Sequence, residues 1–349
     1  MSAISSASAT LIEERISWLD AEMEGALASA SPDLDLYRWA RYHLGWLDER
    51  LVPFSDADRR KHGGKRLRGV LSILACEAVG GEGRASAPAG AAIEFIHNFS
   101  LVHDDVEDND EERRHRPTVW KLWGIPHAIN AGSNMQAMVD VAALRLAGRY
   151  PAETVLRVMS AVTRAIVLMT EGQYLDMAAQ DAAEMSEEAY FRMTGGKTAA
   201  LIEGGLRVGA LLGTSDEARV EALAQFGRSF GLAFQCRDDY LGIWGDPALT
   251  GKPVGSDIEQ GKRSLPVVHA LAQAGAAAET GRRLRAALAA RDVPAVLAIL
   301  EDLETAGWVR ARVEEHTRAA VDALDRAGVE NPHGRAIREI AQYALGRES

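Results

Sequence analysis

Cysteine is nearly missing from this 349-residue chain: Cys76 and Cys236 are the only two, far apart and outside any metal-ligand spacing. A disulfide framework or a thiolate zinc site is therefore not expected, and both thiols should be free and packed in the core. Positive charge is short as well, with 39 Lys and Arg against 50 Asp and Glu and a formal charge of -11. No global basic field draws nucleic acid or an anionic membrane, so an anionic ligand must meet local basic groups or metal. No run approaches the roughly 18 uncharged apolar residues of a membrane span. Residues 1–10 are Ser/Ala-rich and lack the basic start and apolar stretch of a signal peptide. They read as a flexible N-terminal tail, and the cytoplasm is the expected location.

Proline too is sparse, at 11 residues, and long Ala/Leu-rich stretches run without it. Within them apolar residues recur at three and four spacing, as in Leu19, Met23, Leu27 and in Val321, Leu324, which is the helical period. Helices are expected near 34–52, 66–80, 86–108, 127–148, 151–178, 188–212 and 215–241, with shorter ones after Leu265. Convincing alternating strands are absent. Breaks fall at Gly63-Gly64, around Gly80 to Gly83, through the charged stretch Asn109 to Pro117, and in a long loop from Gly245 to Ser264. The length would allow two average domains, but neither a low-complexity linker nor a short repeat divides it. One all-α domain over residues 11–349 is the expectation.

Two apolar helices end in carboxylates. In the first, Asp104 and Asp108 stand at i and i+4 and share a face, a like-charge pair costing a few tenths of a kcal/mol unless a cation sits between them. Carboxylate oxygen suits Mg²⁺, which usually takes one or two protein carboxylates plus phosphate oxygens and water. A solvated acidic helix end is the alternative for this motif taken alone. The second helix runs Phe230 to Leu241 and carries Asp238-Asp239. If the two helices faced one another, their acids would line a common mouth that calls for several metal ions and a polyanion. Basic and Gly-bearing segments accompany them: Gly63-Gly64-Lys65-Arg66-Leu67-Arg68, Arg113-Arg114-His115-Arg116, Gly196-Lys197-Thr198, and Gly251-Lys252 through Lys262. Arginine forks match phosphate oxygens, and glycines let the backbone approach them.

In the order and spacing of these motifs, the stretch from about Gly63 to Pro266 resembles the trans-type polyprenyl diphosphate synthases, which include farnesyl and geranylgeranyl diphosphate synthases. The resemblance implies a single large all-α bundle of the isoprenoid synthase type with a central cavity. It implies condensation of isopentenyl diphosphate with an allylic diphosphate (dimethylallyl, geranyl or farnesyl), three Mg²⁺ ions with bound diphosphate, and a homodimer. Family roles carried onto matching positions make Asp104, Asp108 and Asp238 metal ligands, with the adjacent Asp105 and Asp239 included in the acidic set. Arg113 would bind the allylic diphosphate. Lys65, Arg68, His97 and Arg114 would hold isopentenyl diphosphate. Lys197, Thr198, Gln235, Lys252 and Lys262 match positions lining the allylic diphosphate and its carbocation, and Gln173 and Asp176 match the family's Gly-Gln-x-x-Asp segment.

The sequence departs from the family pattern in places. Glycine replaces the usual third acid of the second motif at Gly242, a loss expected to be tolerated, so that restoring it by Gly242→Asp should change rate modestly. Gly69 stands where many bacterial members have Pro, His115 where Gly is usual, and Gly132-Ser133 where Gly-Asp is common. Two other readings compete with condensation. A class I terpene cyclase on the same fold would need the metals but not the second anion site that Lys65, Arg68, His97 and Arg114 form. A non-catalytic regulatory subunit would tend to lose the first aspartate motif, which is whole here. For product length, Ser100 lies one turn before Asp104 and nearly on its face. Phe99 lies about 7.5 Å back along the axis and points away, so geometry leaves it open between core aromatic and cavity floor. An aromatic followed by a small residue resembles the twenty-carbon producers, which implies geranylgeranyl diphosphate, with farnesyl diphosphate the runner-up.

Overall fold

A computed structural model of the chain describes residues 4–29, 31, 33–181, 185–250, 253–275 and 278–346. Helix α1 covers Ser6–Ala28, so the expected frayed tail is corrected from Ser6 onward. The cause is local and tertiary together. Ser5 caps the helix by accepting from the Ser8 amide at 3.3 Å, and its own backbone N–H donates to Glu339 near the other end of the chain at 2.9 Å.

Helix α2, Asp35–His43, ends well before the expected residue 52. Beyond it the chain turns back, with an isolated bridge from Leu47 to Pro53. The carbonyls left open at its end are taken by arginines: Arg66 donates to Leu44 O at 2.8 Å, and Arg116 to Tyr42 O at 3.1 Å and Leu47 O at 2.7 Å. Then come α3 (Asp56–His62), α4 (Leu67–Ala78) and α5 (Gly83–Glu107), the last running through Pro88. A short hairpin, β1 (Glu112–Arg113) with β2 (Arg116–Pro117), places Arg114 and His115 at its tip with φ of +54° and +59°.

The remaining elements are helical. They run α6 (Val119–Trp123), α7 (Ile125–Leu144), α8 (Ala152–Asp181), α9 (Glu187–Thr194), a π turn (Gly195–Ala199), α10 (Ala200–Gly213) and α11 (Glu217–Trp244). Two one-turn helices, α12 (Pro247–Thr250) and α13 (Ser256–Glu259), break the expected long loop, and α14 (Leu265–Ala274), α15 (Glu279–Ala289), α16 (Val293–Asp302), α17 (Thr305–Arg326) and α18 (Pro332–Leu345) follow. No described helix is long and apolar enough to cross a membrane.

The main core lies where α4, α5, α7, α10 and α11 meet, around Ile73, Leu74, Ile93, Phe95, Ile96, Val139, Leu206 and Phe226. Each such side chain contributes about 1.5–3 kcal/mol on burial. That packing holds the acidic ends of α5 and α11 on rigid supports. Cys76 and Cys236 are both buried and free.

Candidate active site

Asp104, at the end of α5, is approached by groups from three other elements. Gln173 of α8 donates to Oδ1 at 2.9 Å, Lys197 Nζ of the π turn lies 3.5 Å from the same oxygen, and Arg113 Nη2 of β1 lies 3.6 Å from Oδ2. Lys197 also donates to Asp176 of α8 at 2.5 Å. Partial burial alone would lower the Lys197 ammonium, but Asp104, Asp176 and Asp108 together hold it above its ordinary value. Asp108 is pushed up, first by burial and then by Asp104.

The π turn is where it is because two glycines let backbones touch. A Cβ on Gly172 of α8 would fall 2.0 Å from the Lys197 nitrogen, so only glycine admits that approach. A single-turn π bulge of this kind is common at functional sites, and here it lies within the stretch expected as one helix over 188–212. Its next residue reaches the other acidic helix: Thr198 Oγ1 donates to Gln235 Oε1 at 2.9 Å, and Gln235 Nε2 donates to Asp239 Oδ1 at 2.8 Å. Consecutive side chains of one turn thus touch both acidic helix ends, which puts the two ends beside a common mouth.

The two acidic pairs divide in a way the sequence did not reveal, Asp105 and Asp239, expected in the metal-binding set, being the two bonded inward. Asp105 is buried and turned into the protein, with Arg113 Nε donating to it at 2.5 Å; burial pushes its carboxyl up to about 6 against that guanidinium's pull. Asp239 is buried and accepts from Tyr190 Oη at 2.7 Å, the Leu265 amide at 2.7 Å and Gln235. Burial raises it to about 7. Two of its three donors, Tyr190 and the Leu265 amide, tie α9 and the start of α14 to α11. Asp238 beside it is exposed and available.

Gly242, one turn beyond Asp238, is not an empty place. A Cβ there would lie 2.1 Å from Oδ2 of Asp257 on α13, so a carboxylate from elsewhere in the chain already stands against this position. Lys262 lies 3.7 Å from the same Asp257 and is half exposed. Lys252 lies outside the described residues.

A separate basic pocket adjoins α5. Arg68 Nη1 is 3.2 Å from His97 Nε2. Arg114 packs on Gly64, whose added Cβ would fall 2.8 Å from its Cζ, and Lys65 next to that glycine lies 5.6 Å from the Tyr343 ring of α18. The structure therefore brings Arg68, His97 and Arg114 to one place, with Lys65 adjoining them in the chain and its ammonium over Tyr343. Burial lowers Arg68 and brings Arg114 down to about 10, while burial and then Arg68 hold His97 well below its usual range and so neutral. Arg68 Nε and Arg114 Nη1 are buried without a hydrogen-bond partner. Phe99 is nearly buried, edge-on to His103 with ring centres 6.0 Å apart, and Ser100 is half-buried with its hydroxyl donating to His97 O at 2.9 Å.

Sequence reasoning missed Tyr190 as the partner of Asp239 and Asp257 as the partner of Gly242. No local signal marks the first. The second had one, an acid held between Gly255 and Gly261 in the loop after the second motif.

Among the described residues no three His, Cys, Asp or Glu side chains form a ready-made metal cage. The donor chemistry fits Mg²⁺ nonetheless. Asp104 and Asp108 are oxygen donors one turn apart, the charge of Asp104 helps push Asp108 up, and an ammonium, a guanidinium and an amide converge on Asp104 where a hard cation would relieve the same charge. A predominantly helical scaffold with an acidic mouth and an adjoining basic pocket is suited to a phosphorylated ligand.

Comparison with known proteins supplies the family. The family model for polyprenyl synthetase matches residues 58–302, well over half of the chain. A (2E,6E)-farnesyl diphosphate synthase of Mycobacterium tuberculosis is 38% identical over 318 residues, covering 88% of this chain and 85% of the relative. A geranylgeranyl diphosphate synthase of the same organism is 39% identical over 295 residues, covering 82% and 81%. The crystal structure of a polyprenyl synthetase from Streptomyces coelicolor A3(2) superposes with a TM-score of 0.85 at 32% identity, covering 97% of this chain and 99% of that one. The chain belongs to the polyprenyl synthetase family and is a Mg²⁺-dependent prenyltransferase with the helical fold of the isoprenoid synthases.

Proposed function

We propose that this enzyme condenses isopentenyl diphosphate with an allylic diphosphate and makes geranylgeranyl diphosphate as its main product, with farnesyl diphosphate the runner-up. The observation that carries the reading is the pairing of two different charge environments. One is an acidic mouth edged by Arg113 and Lys197, and the other is the basic pocket of Arg68, His97 and Arg114. A cyclase acting on one diphosphate has no use for the second, and the intact Asp104 and Asp108 argue against a regulatory subunit.

Asp104 and Asp108 on one side, with Asp238 on the other, would hold Mg²⁺, in our reading three ions with bound diphosphate. The ions would supply positive charge that draws electrons from the allylic leaving group. Arg113 and Lys197, released from Asp104, bind the departing diphosphate as the allylic C–O bond breaks and the electron pair leaves with it. Electrostatic stabilisation of this leaving group is the main catalytic term. Lys65, Arg68, His97 and Arg114 hold the second diphosphate so that the isopentenyl double bond faces the allylic cation, which removes the entropy of encounter. The double bond forms the new C–C bond, and a proton lost to the departing diphosphate restores an allylic alkene. No protein nucleophile takes part. Thr198 and Gln235 line the allylic side, and we keep Lys252 and Lys262 in that set.

Residues 11–349 act as one catalytic domain in this reading, in the cytoplasm and as a homodimer. Support for a second copy comes from α7 and α8, which expose Ile129, Leu144, Leu156, Val167 and Tyr174.

Labelled isopentenyl diphosphate, each allylic diphosphate in turn and Mg²⁺, with products sized after dephosphorylation, tests the proposal. A twenty-carbon alcohol is expected. Cyclised products without incorporation of label, or no turnover with any donor, would overturn it.

A further inference from the structure

His43, the last residue of α2, takes part in none of the roles above, yet it sits among four arginines, Arg66, Arg113, Arg114 and Arg116. The two arginines that close the end of α2 bracket it: Arg66 on Leu44 O, and Arg116 on Tyr42 O and Leu47 O. Arg116 also lies 4.0 Å from the Tyr42 ring. Both guanidiniums bond backbone carbonyls on either side of His43, and Arg66 also reaches Asp20 at 3.1 Å. It lines a small pocket with Asp105, Arg113, Arg114 and His62.

His43 Nε2 is buried and has no hydrogen-bond partner, which it shares with Arg68 Nε and Arg114 Nη1. Buried polar atoms are nearly always paired, with protein or with ordered water, and an unpaired one beside a cluster of guanidiniums is a place where a water or an arriving anion completes the bond. Burial, then Arg114, Arg113, Arg66 and Arg116 in turn, hold the ring well below its ordinary range and therefore neutral. A neutral ring adds no repulsion to this cage of guanidiniums in the free protein, and can still present an N–H to an anion.

We infer that His43 is a further substrate-binding residue of the isopentenyl diphosphate pocket, donating from Nε2 to the diphosphate that Arg68, His97 and Arg114 hold. The inference rests on the condensation reading above. Arg114, which lines the same small pocket as the ring, ties it to this side of the site, and because Arg113 lines that pocket too, the two-substrate kinetics decide between this diphosphate and the allylic one that Arg113 serves.

The test measures KM for isopentenyl diphosphate, KM for the allylic diphosphate and kcat on the full-length enzyme with Mg²⁺, for wild type, His43→Ala and His43→Gln. Glutamine sets an amide N–H near the place of Nε2. Loss of one hydrogen bond to a charged group should raise KM for isopentenyl diphosphate about tenfold or more in His43→Ala. His43→Gln should recover much of that loss, and KM for the allylic diphosphate should move far less in either variant. If His43→Ala does not fold, His43→Asn, which cannot reach the Nε2 position, replaces it in the same comparison. An isopentenyl KM within twofold of wild type in the variant lacking the donor would overturn the inference, as would equal rises for both substrates or a rise for the allylic one alone. A wild type that fails to condense the two substrates would instead overturn the underlying reading.

Discussion

Replacing Gly242 with aspartate, which would complete the second acidic motif, should harm this protein. The Cβ of any residue at 242 would fall 2.1 Å from Asp257 Oδ2, 2.5 Å from its Cγ and 2.9 Å from Oδ1. Asp257 must therefore leave its buried place before a side chain can enter. Overpacking of this kind costs about 1–3 kcal/mol. The new carboxylate then adds a like charge at close range, about 4 kcal/mol at 4 Å and an effective dielectric constant of 20, reduced to the extent that one acid takes a proton or turns to solvent. Glycine to a better helix former returns only about 0.5–1 kcal/mol. The balance is a loss of about 2–4 kcal/mol, so the expectation of a modest rate change from sequence is revised to a clear loss of stability, with turnover falling because the displaced Asp257 no longer holds its place against α11 one turn beyond Asp238. Thermal melting and steady-state turnover are the assays. The double variant Gly242→Asp with Asp257→Gly, which moves the carboxylate from one helix to the other, should regain most of both. A Gly242→Asp protein that melts within a degree of wild type and turns over at its rate would refute the reasoning, since Asp257 would then have yielded at no cost.

Asp104→Ala should lower turnover by about 10²–10³, the scale seen for loss of one electrostatic catalytic group, while the melting midpoint moves little because the side chain is only partly buried; near-normal turnover at saturating substrate would remove Asp104 from the metal site. His97 is held neutral in the fold, so below its unfolded value of about 6.5 the unfolded chain binds the extra proton and stability drops by up to about 1.4 kcal/mol per pH unit. His97→Gln should be less acid-sensitive between pH 7 and 5 in denaturant titrations, and an unchanged slope would count against a neutral His97. Ser100→Phe should shorten the product to fifteen carbons and Phe99→Ala should lengthen it, read by chromatography of the dephosphorylated products; if neither shifts the distribution, chain length is set by other helices.

The helices could be read from sequence because their periodicity is local. Leu19, Met23 and Leu27 declare a buried stripe without help from the rest of the chain. The end of α2 could not be read, since it depends on Arg66 and Arg116, which arrive from later in the sequence. Adjacent acids posed the same problem. Neighbours on a helix point about 100° apart, so Asp238 and Asp239 cannot both face the mouth, and only Tyr190 and the Leu265 amide decide that Asp239 is the one drawn inward. Arg113 settles Asp105 likewise. The Gly242 substitution looked like a loss because its carboxylate neighbour comes from α13, fifteen positions on by numbering, across a turn no local pattern describes.

Lys197 and Thr198 are adjacent on a single π turn, one bonded toward α5 and the other toward α11, so neither can travel without the other. From Thr198 the bonds continue through Gln235 to Asp239 and on to the first amide of α14, while Lys197 reaches Asp104 from the same turn. One short turn is thus the keystone of the mouth, seated against both of its walls, and a substitution that reshapes it would be felt at both.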